Sequence, residues 1–188
     1  MKIKIAENIK ILSSYLKENE NYIISSVETI ASRIAEIINN GGKIITMGNG
    51  GSASDAQHFT AELMGRFLKE RKPYESICIN TNVSNITSIA NDYGYEYVFE
   101  RQIYGLCRKN DSVICYSTSG NSANILKAAS AAKSIGALLI TFTGFSGGKL
   151  KNMSDINFNV SINSTARVQE VHCLVNHLIC EIIENRLN

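Results

Sequence analysis

The sequence is poor in features that divide a chain into separate units. Its 188 residues contain one proline, Pro73, and no Ser/Gly-rich or single-sign charged stretch that could act as a linker. No internal repeat is found. Apolar residues make up 44% of the chain and charged residues 19%, which is normal for a soluble globular protein. We therefore expect one domain that spans residues 1–188.

Long apolar runs and an excess of one charge are also missing. The best run, around Ala137–Ile140, is strand-sized and far shorter than the roughly 18 apolar residues of a membrane span. Residues 1–10 lack the unbroken apolar core of a secretory signal. The 19 basic residues are scattered among 17 acidic ones for a net charge of +2, which argues against a nucleic-acid surface. We expect a cytoplasmic protein with small polar partners, no nucleic acid and no membrane.

The spacing of the cysteines does not indicate a disulfide framework or a cysteine-based metal site. The five cysteines are odd in number and contain no Cys-x-x-Cys pair. Free cysteine is usually buried, so we expect reduced thiols, mostly in a core.

Apolar spacing predicts two helices at the start of the chain. Ile5, Ile9 and Leu12 recur at helical spacing, and a second series from Ile23 to Ile37 ends before Gly41. Later helix-like segments lie near 53–68, 84–106 with a break around 91–94, 122–135, 147–152 and 165–185.

Five short apolar runs between these helices predict strands. They are bounded by Gly, Asn, Asp or Ser, and they lie at 43–47, 77–79, 113–116, 138–142 and 156–160. Alternation of strand and helix predicts an α/β fold, a doubly wound five-stranded parallel sheet flanked by helices, with extra helices in residues 1–40 and a core over 41–188. Such sheets bind ligands beyond the carboxyl ends of their strands.

Two loops carry the residue types of a phosphate site. Residues 48–52 read Gly-Asn-Gly-Gly-Ser after the first strand, and residues 117–122 read Ser-Thr-Ser-Gly-Asn-Ser after the third. Glycines allow close approach, while amides at a helix start and small hydroxyls donate to an anion. If the strand order is 2-1-3-4-5, both loops open onto one crevice.

Neither loop matches a nucleotide-binding motif. Residues 117–122 lack the Gly-x-x-x-x-Gly-Lys spacing of a nucleoside triphosphatase, and residues 48–52 depart from Gly-x-Gly-x-x-Gly at Ala53. A sugar phosphate held without a lysine is the better interpretation.

The helix after the first loop carries a polar stripe of Asp55, His58, Glu62 and Arg66. His58 and Glu62 are about 40° apart on a helix, and Arg66 follows after about another 40°. Ion pairs on a solvated face would give the same pattern. Because this helix begins at a predicted ligand loop, and because Glu and His transfer protons at neutral pH, we favour a catalytic role for the stripe.

The other two histidines lie on the final helix. His172 and His177 are about 140° apart, so both cannot face one site. Glu170 lines up with His177 and Gln169 is about 80° away, so geometry alone does not choose between them. His58, Glu62 and His177 could bind zinc, whose usual ligands include imidazole and carboxylate.

Taken in order, these motifs resemble the phosphoheptose isomerases of the sugar isomerase (SIS) domain superfamily. The resemblance covers about residues 41–181 and includes both loops, the Asp55–Arg66 stripe, Ala90–Gly94, Thr143-Gly144, Gly147–Lys149 and Gln169–His177. It implies a SIS-type sheet in flavodoxin-like order and a homotetramer with active sites at subunit boundaries. It also implies isomerisation of sedoheptulose 7-phosphate to D-glycero-D-manno-heptose 7-phosphate for bacterial surface polysaccharide.

The resemblance also implies the site residues. Catalysis would fall to Glu62 and His177, and one zinc per subunit would be held by His58, Glu62, Gln169 and His177. Substrate would be bound by Asn49, Gly50, Gly51, Glu62, Asn91, Asp92, Ser117, Thr118, Ser119, Ser122 and Gln169.

Three questions stay open at this point. Zinc could be catalytic or could only organise the site, because a cation weakens a bound glutamate as a base. Glu62 and His177 could each be the acid or the base. A non-catalytic SIS module that binds a sugar phosphate or a protein, and an isomerase for a pentose phosphate, are the alternatives to the heptose enzyme.

Overall fold

The computed structural model describes residues 2–187. Its helices are α1 (Lys2–Glu18), α2 (Glu20–Asn39), α3 (Gly51–Met64), α4 (Val83–Tyr93), α5 (Glu100–Leu106), α6 (Ala123–Ile135), α7 (Gly148–Met153) and α8 (Thr165–Leu187), with a 3₁₀ turn at Tyr95–Tyr97. Its strands are β1 (Ile44–Gly48), β2 (Ser76–Cys78), β3 (Ser112–Ser117), β4 (Leu138–Gly144) and β5 (Ile156–Val160).

The strands form one parallel sheet in the order β2-β1-β3-β4-β5. In register, Ile44 of β1 lies between Ser76 of β2 and Ser112 of β3. The chain therefore leaves β1 and β3, the strands at the reversal of order, on the same edge of the sheet. This confirms the predicted fold class and strand order.

Helices cover both faces because neighbouring residues of each buried strand point in opposite directions. Ile44 packs in a cluster with side chains of α2, α3 and α8, whereas Ile45 packs with those of α5 and α6. The burial of all five residues of β1 follows from this double cover.

The expected core thiols are confirmed for four cysteines. Cys78, Cys107, Cys115 and Cys180 are buried and free, while Cys173 is only partly buried. Among residues 2–187, no helix has both the length and the apolar character needed to cross a membrane.

The predicted reach of α3 to residue 68 is wrong. The helix ends at Met64, and the guanidinium of Arg71 donates to the carbonyls of Glu62 (2.6 Å) and Leu63 (2.9 Å). These carbonyls would otherwise accept from the next turn of helix. Arg66 therefore leaves the predicted stripe; it is exposed and lies 3.8 Å from Glu70.

Candidate active site

The loop between β1 and α3 contacts two other parts of the chain, one after β2 and one on α8. Asn80, just after β2, accepts from the Gly48 amide at 3.1 Å and donates to the Gly48 carbonyl at 2.7 Å. Across the loop, a Cβ added to Gly51 would lie 2.5 Å from Nε2 of Gln169 on α8. A side chain at this position would displace the Gln169 amide from the loop.

Asn49 joins this loop to the one after β3. Its side-chain amide and that of Asn124, on α6, donate to each other at 2.9 Å in both directions. The Tyr95 hydroxyl also donates to Asn49 Oδ1, at 3.2 Å. The pairing aligns the two loops without using their backbone amides.

The loop after β3 rests on the connection between β4 and α7. A Cβ on Gly120 would lie 2.0 Å from the carbonyl oxygen of Gly147, so the two backbones touch. The Leu150 amide donates to Gly120 at 3.0 Å. In the same loop, the Ser117 and Ser122 hydroxyls are 3.4 Å apart. The backbone at Gly147 and Gly148 thus packs directly against the loop after β3.

A cavity of about 240 Å³ lies between the two loops. It is lined by Asn49, Gly51, Ser52, Tyr116, Ser117, Thr118, Ser119, Ser122, Thr165 and Gln169. Three helices begin at this lining, because Gly51 opens α3, Ser122 precedes α6 and Thr165 opens α8.

No lysine or arginine is among these lining residues. Helix N-termini present free amides and a positive partial charge, so the cavity suits an anion bound by amides and hydroxyls. A phosphate in this cavity stays a prediction.

A second group of side chains lies further along α3 and α8. His58 Nε2 donates to Glu62 Oε1 at 3.0 Å and is 3.3 Å from His177 Nε2. Phe67 stacks on the His177 ring with centroids 5.5 Å apart. The packing of α3 against α8 therefore joins residues that are 119 positions apart in sequence.

Cys173 lies on the other side of the His58 ring. Its Sγ is 3.9 Å from His58 Nδ1, the nitrogen that does not face Glu62. Burial raises the pKa of the Cys173 thiol, and the nearby Asp55 raises it further.

Asp55 occupies the buried side of α3. Burial raises its pKa to about 6, and His58 partly opposes this increase. Its Oδ2 has no hydrogen-bond partner among the described residues.

His172 points away from the site, and the helical angle predicts only that His172 and His177 cannot both face it. It is fully buried and donates through Nε2 to the Thr143 carbonyl at 3.1 Å. Burial lowers its pKa to about 4, so the ring is neutral at physiological pH.

The structure separates the predicted site residues into three places. Most of the predicted substrate-binding residues line the cavity, and His58, Glu62 and His177 form the second group. Gln169 faces the cavity, while Glu170 is paired with Arg167. Asn91 and Asp92 are exposed on the last turn of α4, where Asn91 donates to Asp92 at 2.9 Å.

Several contributors were missed from sequence, among them Asn80, Asn124, Thr165 and Cys173. Asn80 follows the carboxyl end of β2, and Thr165 is the first residue of α8. Residues at both kinds of position often bind ligands. Cys173 stands four residues from both Gln169 and His177, so helical spacing could have found it. Nothing in the spacing of the sequence signals Asn124.

The second group fits a metal ion. Tetrahedral zinc with imidazole ligands places two nitrogens roughly 3.4 Å apart, close to the 3.3 Å between His58 and His177. Glu62 adds a carboxylate oxygen at 3.0 Å from His58. Both donor types are usual for zinc.

Comparisons with known proteins extend this description. The SIS domain family matches residues 6–144. A probable phosphoheptose isomerase from Thermoplasma acidophilum is 48% identical over 176 residues, covering 92% of this chain and 97% of that protein. The phosphoheptose isomerase of Aliarcobacter butzleri is 46% identical over 185 residues, covering 95% and 97%.

A solved structure is also similar to this chain over nearly its whole length. The phosphoheptose isomerase from Neisseria gonorrhoeae matches with a TM-score of 0.92 and 36% identity over 98% of both chains. The similarity thus includes the N-terminal helices, where the sequence carries no recognisable motif.

Proposed function

Because the chain belongs to the phosphoheptose isomerases of the SIS domain family, we propose that it interconverts sedoheptulose 7-phosphate and D-glycero-D-manno-heptose 7-phosphate. It is an aldose–ketose isomerase, one domain over residues 1–188, and its product would supply heptose for bacterial surface polysaccharide.

The observation that carries this proposal is the placement of two different sites along the same pair of helices. α3 begins at the anion cavity and bears His58 two turns later, which is an axial rise of about 10 Å. α8 likewise has Gln169 at the cavity and His177 at the second group. A sugar with a phosphate at one end and a carbonyl at the other could reach both.

The chemistry assigns a task to each group. Glu62 removes a proton from C1 of the ketose while an acid protonates O2, which gives an enediol. The O1 proton then leaves, and Glu62 returns its proton to C2 to give the aldose. His177 polarises the oxygens, and the cavity amides and hydroxyls hold the phosphate in place.

We propose one zinc per subunit at His58, Glu62 and His177, with Gln169 as the further ligand that the family resemblance implies. When bound, zinc would polarise the carbonyl oxygen as a Lewis acid. The 3.0 and 3.3 Å separations from His58 support the first three ligands. Gln169 as a ligand and Asn91 and Asp92 as substrate contacts stay predictions.

We also propose a cytoplasmic homotetramer with active sites at subunit boundaries. Ile3, Ile5 and Ile9 of α1 are 74%, 56% and 64% exposed, which is unusual for so many isoleucines on one helix. The His58 side chain is 41% exposed, and a neighbouring subunit would exclude water from the reaction.

An assay of the purified protein with C5, C6 and C7 ketose phosphates tests the proposal. We expect turnover of the C7 substrate, and we expect Glu62→Gln to lower it by at least about 10²-fold, the lower range for a general base. Glu170→Gln is the matched control, because that carboxylate is exposed and paired with Arg167.

Two results would overturn the proposal. Wild-type turnover in Glu62→Gln, with an unchanged circular dichroism spectrum, would remove Glu62 as the base. Binding of sugar phosphates without any isomerisation would indicate the non-catalytic module instead.

A further inference from the structure

Asn124 is a buried residue that is bonded to the lining of the anion cavity without being part of it. It lies in the first turn of α6 and is 3% exposed. It bonds twice to Asn49, which does line the cavity. Any effect of the Asn124 side chain on a ligand in the cavity must therefore pass through the residues that it contacts.

A backbone amide fixes the orientation of the Asn124 side chain. The Ile125 N–H donates to Asn124 Oδ1 at 2.9 Å. Ile125 is in the first turn of α6, where backbone amides have no carbonyl partner within the helix. Because a backbone amide can only donate, the oxygen of the Asn124 side chain must lie on this side, and not the nitrogen.

The orientation of Asn124 in turn fixes that of Asn49. Asn124 Oδ1 accepts from Asn49 Nδ2, and Asn124 Nδ2 donates to Asn49 Oδ1, both at 2.9 Å. Turning the Asn49 amide over would place nitrogen against nitrogen and oxygen against oxygen, so both bonds would be lost. The Asn49 amide thus has one favourable orientation in the folded protein.

This orientation leaves the Asn49 side chain with one free polar group. An amide oxygen has two lone pairs, and an amide nitrogen has two N–H donors. Both lone pairs of Asn49 Oδ1 are used, by Asn124 Nδ2 and by the Tyr95 hydroxyl at 3.2 Å. One N–H of Asn49 is used by Asn124 Oδ1, and the other has no partner among residues 2–187. The Asn49 side chain therefore offers a ligand a donor and no acceptor.

We propose that Asn124 is a positioning residue for the sugar phosphate, and that through Asn49 it presents one N–H donor to an oxygen of the ligand. The inference rests on the proposed function, since it takes the cavity as the place where the phosphate-bearing ligand binds. An acceptor such as a phosphate oxygen suits this donor, whereas an ammonium group at the same place would meet a second donor and would be rejected.

The test measures binding without turnover in a double-mutant cycle of Asn49 and Asn124. The probe is sorbitol 6-phosphate, which has no carbonyl and cannot be isomerised, and calorimetry gives its dissociation constant. Asn124→Leu should weaken binding about tenfold, because a hydrogen bond to a charged ligand is lost or misaligned. In an Asn49→Ala background, the same change should alter the dissociation constant less than about twofold, because Asn124 then has no side-chain amide left to position.

Asn157→Leu is the matched control. It removes another partly buried asparagine, which donates to Thr141 and Thr143 of β4 and forms no hydrogen bond with Asn49. This change should leave the dissociation constant within about twofold of the wild-type value. If Asn124→Leu does not fold, Asn124→Ser replaces it, because serine is favoured near helix starts and one hydroxyl cannot make both bonds to Asn49.

Two results would overturn the inference alone. Equal losses in the wild-type and Asn49→Ala backgrounds would show that Asn124 acts on α6 and not through Asn49. Unchanged binding in a folded Asn124→Leu protein would show that Asn49 needs no partner. A wild type that does not bind the probe would overturn the anion cavity as well. Failure of the proposed reaction is a separate result, because a protein that binds the probe but isomerises no ketose phosphate still completes the cycle.

Discussion

Ser119 and Ser122 offer hydroxyls to the anion cavity and have few partners of their own. Ser122 Oγ is 3.4 Å from Ser117 Oγ, and Ser119 Oγ accepts from the Asn121 amide at 3.2 Å. We expect Ser119→Ala and Ser122→Ala each to raise KM by about 10- to 100-fold with little change in kcat. Hydrogen bonds to a charged group contribute about 1.5–3 kcal/mol, and phosphate contacts stabilise ground and transition states alike.

Steady-state kinetics with the C7 ketose phosphate would check this expectation. Ser54→Ala is the control. Ser54 lies in the first turn of α3, near the cavity, but does not line it. A change confined to kcat in both cavity variants would mean that the loop does not hold the phosphate.

Asp55 makes stability depend on pH in an unusual direction. Its pKa in the folded protein is raised from 3.8 to about 6 by burial, so the folded state binds more protons than the unfolded state between these values. The contribution of Asp55 to stability therefore falls as pH rises from about 4 to about 6. Asp55→Asn should match the wild type near pH 4 and should be more stable by up to about 3 kcal/mol above pH 6.

Urea unfolding of both proteins across pH 4–8, at one fixed protein concentration, measures this difference. A variant that is less stable than the wild type at pH 8 would show that the charged carboxylate has a stabilising partner.

The sequence could predict site residues where polar side chains lie at helical spacing within a single helix. His58 and Glu62 stand four residues apart, and the angle between His172 and His177 placed only one of them at the site. Contacts between helices could not be predicted in this way. Cys173 meets His58 across 115 residues, and periodicity within α8 carries no information on which side of α3 it faces.

At the scale of elements, a buried ion pair ties α3 to α8. Glu184 accepts from the amides of Phe67, Leu68 and Lys69 at 2.8–2.9 Å and from Arg71 Nε at 2.8 Å. Burial acts to raise the pKa of Glu184, but these hydrogen bonds outweigh it and the pKa is lowered. The two side chains are 1% and 2% exposed.

Glu184→Gln should lower the free energy of unfolding by about 3–5 kcal/mol, because it leaves the Arg71 charge buried without its carboxylate partner. Glu181→Gln, an exposed change three residues earlier on the same helix, should cost less than about 0.5 kcal/mol. Denaturant unfolding compares the two, and equal losses would mean that the buried pair contributes no more than a surface carboxylate.

This ion pair also explains the one element that the sequence pattern overextended. The apolar spacing in α3 continues through Phe67, so the pattern alone predicts helix to residue 68. Instead, Arg71 donates to the carbonyls of residues 62 and 63, and Glu184 accepts from the amides of residues 67–69. Glu184 is more than 110 residues away in sequence, so no local pattern could include it. The strand positions came out within two residues because buried parallel strands are short apolar runs with polar ends.

For the whole molecule, the family resemblance and the exposed isoleucines of α1 both favour a tetramer. Replacing Ile5 and Ile9 with lysine should shift the assembly to smaller species, since charges would enter an apolar contact. Glu7→Lys, on the opposite side of α1, is the control and should keep the tetramer. Light scattering would measure the mass, and a wild-type monomer with full activity would refute sites shared between subunits.

The position of α8 after every strand has a consequence for biosynthesis. All five strands, ending with Val160, are synthesised before Gln169, His177 and Glu184. At about 5–20 residues per second, His177 is added about one to three seconds after Val160. The final residues of a chain are still inside the ribosome when synthesis ends, so α8 is the last element that becomes free to fold, and the anion cavity and the second group are completed only after release.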